Sequence, residues 1–305
     1  MKIAFLFAGQ GAQAVGMGKD FYDNYESSKE IFDQFKEIRD ICFNGPEDIL
    51  NQTKYAQKCM LLTSYVYASK LKDAGILPNY SCGLSLGKYT ALTFAGTWNL
   101  NEAIDIVSFR GDIMQNALPL GTTKMAAVIG LDRDKILSAI KDIDGVCEIA
   151  NYNCPGQIVI TGDNKGVDEG MKRLEAAGAL KVVALNVSGA FHSSLLKDAS
   201  NKLREVLDKY QPKKPNNTII YNVSGTPLDD NINDILQKQI CNSVYFEDTL
   251  KYLIEQGVDT FVEIGPGKTL SGFLKRIDRK LKCYVINDAQ SLEDTISQIK
   301  GNNAN

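Results

Sequence analysis

The chain has 305 residues, 44% hydrophobic and 23% charged, which suits one large α/β domain or about two domains and excludes wholesale disorder. A formal charge of −3 and an isoelectric point near 5.4 argue against nucleic-acid binding, which draws on clustered Lys and Arg. Seven scattered cysteines without a C-x-x-C pair, an apolar start too short for a signal-peptide core and the lack of a membrane-length apolar run lead us to expect a cytoplasmic protein with buried thiols and no membrane association.

Taken in order, Lys2 to Phe7 is a continuous apolar run ending in Gly9-Gln10-Gly11, as a buried parallel strand would. Apolar positions at three- and four-residue spacing predict helices over roughly residues 16–39 and 56–74. A short strand, Tyr80 to Gly83, then runs through a sharp turn at Leu84-Ser85-Leu86-Gly87 into a helix reaching Ala95. Asn101 is placed to cap a helix through about Ala117.

From Lys124 the order becomes strand (125–129), helix (134–141), strand (146–151), strand (157–161), helix (164–177), strand (181–187). This βαββαβ sequence is the split-βαβ order of a ferredoxin-like domain and reads as an insertion. It divides the chain into a catalytic domain at 1–122 and 189–305 and a small domain at 123–188. A helix from Ser193, a strand near 218–221, helices near 232–239 and 246–256, a strand at 260–264, a helix at 270–277 and a strand at 283–286 restore the alternation of a parallel sheet. Residues 301–305, Gly-Asn-Asn-Ala-Asn, read as a disordered tail.

Gly83-Leu84-Ser85-Leu86-Gly87 is the chain's single G-x-S-x-G. Flanking glycines let the backbone turn tightly enough to present the serine oxygen, and the following helix N-terminus supplies amide donors. The plainer alternative is a glycine-flanked serine in an ordinary turn. A serine hydroxyl needs a base, and the one histidine, His192, fills that role unless a lysine does. A lone histidine is otherwise a hydrogen-bonded structural residue, but this one lies just past the insertion, where two domains would form a cleft. With one histidine and no paired cysteines, a metal site is not expected.

The Gly9-Gln10-Gly11 loop is either a turn or the source of a backbone donor, from Gln10, opposite that of Leu86. Gly265-Pro266-Gly267-Lys268-Thr269 is no P-loop, because position 262 is valine rather than glycine. Arg110 lies on a largely apolar helix. It is either solvated or, if buried, in need of an anion such as a carboxylate.

Together Phe7-Ala-Gly-Gln-Gly11, Gly83-Leu-Ser-Leu-Gly87, Arg110-Gly111, Asn153-Cys-Pro-Gly-Gln157, Gly189-Ala-Phe-His192 and Glu263-Ile-Gly-Pro-Gly-Lys268 resemble malonyl-CoA:acyl carrier protein transacylases in order and spacing. The resemblance implies an α/β-hydrolase-like large domain with a ferredoxin-like insertion, a monomer, and no cofactor beyond the substrate malonyl-CoA. It implies that Ser85, activated by His192, takes the malonyl group from malonyl-CoA and passes it to the phosphopantetheine thiol of acyl carrier protein. Gln10 and Leu86 would supply the oxyanion hole and Arg110 the carboxylate site, with Asn153 and Phe191 lining the substrate and a carbonyl at Gln239 orienting His192. Phe191 could equally be plain packing.

Two departures stand beside it: relatives carry Gly-His-Ser-Leu-Gly-Glu, where this chain has Leu84 and Lys88. They motivate a rival reading as a carrier-binding scaffold without catalysis. An acyltransferase serving a polyketide synthase would use the same residues. An esterase would usually place its histidine nearer the C-terminus. Lys275, Arg276, Arg279 and Lys280 form either a basic docking patch for an acidic carrier protein or a solvated helix end.

Overall fold

A computed structural model describes residues 1–187 and 189–303. β1 (Ile3–Phe7) has all five residues buried, the signature of a strand covered on both faces. The expected helix over 16–39 is instead α1 (Lys19–Asn24), α2 (Glu26–Asp33) and α3 (Lys36–Asn44), with extended backbone at Tyr25 and a break at Phe35. The breaks fold the segment back so that Tyr22, Phe32 and Phe43 meet edge-on, with ring centroids 5.1 to 6.3 Å apart. On one straight helix Tyr22 and Phe43 would lie about 30 Å apart. Helical spacing survived in the sequence because each piece turns its apolar face to the same core.

α4 (Glu47–Leu50) leads into α5 (Thr53–Asp73), which is followed by β2 (Tyr80–Gly83), α6 (Gly87–Phe94) and α7 (Leu100–Gln115). The cap of α7 is Asn99 rather than Asn101. Its side chain accepts from Glu102 N–H at 3.0 Å, and the Glu102 carboxylate accepts from Asn99 N–H at 2.9 Å. This capping box satisfies two end donors at once.

The inserted unit is β3 (Thr123–Ile129), α8 (Arg133–Ile140), β4 (Cys147–Cys154), β5 (Gln157–Asp163), α9 (Asn164–Ala176) and β6 (Lys181–Ala184). Its strands lie in the order β6-β3-β5-β4, all antiparallel, over a core of its own that includes Val128, Ile136, Ile160 and Leu174. β4 runs further than expected. Residues 185–187 leave the sheet, and Ser188, the last residue of the expected small domain, lies outside the described residues.

After a 3₁₀ turn at Ser194–Leu196 come α10 (Lys197–Leu207), β7 (Thr218–Ile219), α11 (Ile232–Cys241), β8 (Val244–Tyr245), α12 (Phe246–Glu255), β9 (Thr260–Ile264), α13 (Thr269–Ile277), β10 (Lys282–Ile286) and α14 (Ala289–Asn303). The large sheet is wholly parallel in the order β10-β9-β1-β2-β7. β8 joins the other sheet, pairing in parallel with β4 at Asn151 and Tyr152. α14 was not expected from the sequence. Its signals are Asp288, whose side chain accepts from Ser291 N–H at 2.7 Å, and the buried Leu292 and Ile299 at helical spacing. Gly301 to Asn303 form its last turn rather than a tail, and residues 304–305 lie outside the described residues.

The architecture is therefore α/β, a large parallel-sheet layer with a ferredoxin-like unit inserted. β1 is central, and the loops after β1 and β2 open side by side at the carboxyl ends of the strands, where α/β sheets bind ligands. None of the helices among the described residues is long and apolar enough to cross a membrane. All seven cysteines are free thiols; Cys42, Cys59, Cys82 and Cys154 are buried, whereas Cys147, Cys241 and Cys283 are only partly so.

Candidate active site

β2 ends at Gly83 and α6 begins at Gly87, so the chain must reverse within three residues. Ser85 sits at the apex with φ of 50°, a left-handed conformation that non-glycine residues rarely adopt. Both glycines are required by close approach: a Cβ on Gly83 would lie 2.1 Å from the Gly87 carbonyl carbon, and one on Gly87 would lie 2.2 Å from the Phe7 carbonyl oxygen.

Such backbone strain persists when surrounding structure fixes it. Here the clamp is Asn222, unrecognised in the sequence. Its Oδ1 accepts from Ser85 N–H at 3.1 Å and its Nδ2 donates to the Gly83 carbonyl at 2.9 Å. Gln239 Nε2 adds a bond to the Ser85 carbonyl at 3.0 Å and one to Asn222 Oδ1 at 2.6 Å.

His192 is buried, with φ of 60°, and its Nε2 lies 2.8 Å from Ser85 Oγ. On the other side of the ring, Nδ1 is 2.9 Å from the backbone carbonyl of Gln239. A carbonyl only accepts, so Nδ1 carries the proton and Nε2 offers its lone pair to the serine hydroxyl. Gln239 is in the last turn of α11, where carbonyls lack helical partners and the dipole is negative. A helix end thus orients the ring where other hydrolase folds use a carboxylate. Burial lowers the His192 pKa to about 4, the charge of Arg110 pushes the same way, and the backbone groups of Gln239 and Asn242 oppose them.

Arg110 is only 1% exposed, which rules out the solvated alternative. Nη1 donates to Gln57 Oε1 at 2.7 Å and Nη2 to Ser85 Oγ at 3.1 Å. The guanidinium carbon lies 5.0 Å from the Tyr89 ring centroid. Its Nε is buried without a partner, and among the described residues no carboxylate pairs with it. Burial pulls its pKa below the usual arginine value. A cation held this way beside a hydroxyl is arranged to receive an anion from outside. Gln57 was also missed in the sequence. Its signal is a fully buried amide on α5 among Ala56, Cys59, Met60 and Leu61.

The loop after β1 lies against the elbow, since a Cβ on Gly9 would come within 2.5 Å of the Leu84 carbonyl oxygen. Gln10 is tethered through Nε2 to Thr53 Oγ1 at 3.1 Å. Around the elbow the N–H groups of Leu84, Ser85, Gly87 and Lys88 all find protein acceptors. Those of Gln10 and Leu86 meet none among the described residues.

Two expected site residues are not drawn in by hydrogen bonds. Phe191 is part of the main core, and the Asn153 side-chain oxygen is buried near the end of β4 without a partner. Leu84 packs against a second apolar cluster. Glu263 explains the Gly-Pro-Gly motif structurally: its carboxylate accepts from Leu270 and Ser271 N–H at 2.8 and 2.7 Å, capping α13. Lys275, Arg276 and Arg279 are exposed and share a surface groove with Pro155.

Comparison with known proteins identifies the family. The acyl transferase domain model matches residues 4–290. A malonyl CoA-acyl carrier protein transacylase of Bacillus subtilis (strain 168) is 39% identical over 100% of this chain and 99% of its own. The crystal structure of malonyl CoA-acyl carrier protein transacylase from Clostridium perfringens superposes with a TM-score of 0.95 at 40% identity, covering 100% of this chain and 99% of that one. A type II PKS malonyl-transacylase solved in complex with its acyl-carrier protein superposes with a TM-score of 0.94 at 33% identity, covering 98% and 100% of the two chains. The G-x-S-x-G elbow, the insertion and the matches over the full chain agree, and the protein belongs to the acyl transferase domain family, among its malonyl CoA-acyl carrier protein transacylases.

Proposed function

We propose that the protein transfers the malonyl group of malonyl-CoA to the phosphopantetheine thiol of acyl carrier protein, supplying fatty acid synthesis. The observation that carries this reading is the single oxygen, Ser85 Oγ, that both His192 Nε2 and the buried Arg110 Nη2 approach within hydrogen-bond distance. As His192 Nε2 takes the hydroxyl proton, Ser85 Oγ attacks the thioester carbonyl. The oxyanion is received by the backbone N–H groups of Gln10 and Leu86. The intermediate collapses to a malonyl-serine ester, and the CoA sulfur leaves with the proton from His192. The carrier thiol then gives its proton to Nε2 and attacks the ester, returning Ser85. Arg110 binds the free malonyl carboxylate, and Asn153 and Phe191 border the acyl group. This sequence assigns no step to a cofactor.

Identity to relatives named for the same transfer supports the substrate and partner. The exposed Lys275, Arg276 and Arg279 suit an acidic carrier. Service to a polyketide synthase is the second reading, favoured by the likeness to the type II PKS transacylase. Intact-mass measurement after brief mixing with malonyl-CoA tests the proposal. One malonyl group should add to the wild type and none to Ser85→Ala. Absence of both adduct and released CoA would leave the carrier-binding scaffold as the better reading.

A further inference from the structure

We propose that Lys88 is a positioning residue for the nucleophile, holding the segment after β7 from which Asn222 clamps Ser85. The inference rests on the acyl-transfer reading of that serine. Lys88 is fully buried, in the first turn of α6, three positions past Ser85. Its Nζ donates to the Ile220 carbonyl and lies 5.6 Å from the Tyr221 ring centroid. No carboxylate pairs with it among the described residues, and Cys82 is the neighbour whose charge would couple to it. Burial without an acid pulls its pKa down to about 8.

The placement explains why so unfavourable a group is kept there. β7 pairs with β2 only through Thr218 and Ile219, and the last ladder bond runs from Ile220 N–H to the Ser81 carbonyl at 3.0 Å. Beyond that point β7 ends and its chain turns away at 222–224 while β2 stays paired with β1 through Gly83, so among the described residues no backbone donor follows for the Ile220 carbonyl. The Lys88 ammonium takes the donor's place. Two residues later Asn222 resumes the connection, through its side chain, to Gly83 and Ser85. Lys88 and Asn222 together replace the missing rungs and carry the strand's position forward to the strained serine. A charge-assisted bond suits this task because it is stronger than a neutral one.

An apolar residue of similar length should leave the fold about as stable, since removing the buried charge offsets the donor that the Ile220 carbonyl loses. It should not satisfy the site. The test compares wild type, Lys88→Met and Lys88→Gln by thermal melting, malonylation rate, labelling rate of Ser85 by a fluorophosphonate, and amide exchange over residues 83–88. For Lys88→Met we expect a Tm close to that of wild type, faster exchange at the elbow, and malonylation and labelling slowed about tenfold or more. Lys88→Gln, which can still donate, should recover much of the rate. Fluorophosphonate labelling and exchange report the elbow even if malonyl-CoA is not the substrate. Lack of malonylation in a wild type that labels normally would count against the function and leave the Lys88 comparison intact. A Lys88→Met protein with wild-type labelling and exchange, or one whose rate falls only in step with a lowered Tm, overturns the inference.

Discussion

Arg110 and His192 meet on one oxygen, their Nη2 and Nε2 lying 3.1 and 2.8 Å from Ser85 Oγ. The cation therefore acts on the base, and after burial its charge is the next cause of the low His192 pKa of about 4. A malonyl carboxylate on Arg110 would offset that charge and make His192 a stronger base once substrate is bound. An acetyl group would not. Because the shift is downward, His192 stays neutral, and competent as a base, as pH falls below 6.5 towards 4. In free enzyme the acid limb of kcat/KM for serine acylation should lie near pH 4. Arg110→Gln should move that limb upward, though still below 6.5 because burial remains, and should slow malonyl transfer about a hundredfold or more. Stopped-flow acylation across pH 3.5 to 8 checks both, and an unmoved limb in the variant would refute the coupling.

Arg110 Nη1 donates to Gln57 Oε1 at 2.7 Å. Gln57→Leu should preserve α5 but leave a buried guanidinium donor unmet, at about 1–3 kcal/mol of stability. The freed guanidinium should also lose aim. The ratio of malonyl to acetyl acylation should fall while acetyl acylation changes little, as competition between the two thioesters would measure.

His192 is oriented by a backbone carbonyl, which substitution does not remove. Gln239→Ala should therefore keep the Nδ1 bond while losing the side-chain bonds to Ser85 and Asn222. We expect about a tenfold fall in kcat for Gln239→Ala, against about a thousandfold or more for His192→Ala. Equal losses would mean that the Gln239 side chain, not its carbonyl, governs the base.

Gly87→Ala places a methyl group 2.2 Å from the Phe7 carbonyl oxygen, on the rigid central strand. Neither partner can yield without moving the elbow or β1. Destabilisation of about 3 kcal/mol or more is expected in urea melts, with Ser85 labelling lost in what remains folded.

Ser85 and His192 were legible because each is singular in the sequence: one G-x-S-x-G, one histidine. The ferredoxin-like order was legible because its strands and helices keep clean periods. Asn222 and Gln57 were not, since their partners lie 137 and 53 residues away and nothing in the local sequence marks a buried amide as a clamp. Arg110 stood undecided for the same reason, because burial of one charged side chain depends on tertiary packing. The breaks at Tyr25 and Phe35 escaped notice because a helix that kinks around one core keeps its apolar period.

The crossing of β8 into the small sheet has a mechanical consequence. The peptide that orients His192 leaves α11 and is stitched almost at once to β4. His192 emerges from the same inserted unit, and its neighbour Ser194 is bound to the Glu148 carboxylate on β4 through both N–H and Oγ, at 2.8 and 2.5 Å. Imidazole and orienting carbonyl are thus both anchored to the inserted sheet, while the side chain of the same Gln239 ties that peptide to Ser85 and Asn222. A shift of the inserted sheet would therefore reach base and nucleophile together, through Gln239, while leaving untouched which ring nitrogen keeps its hydrogen.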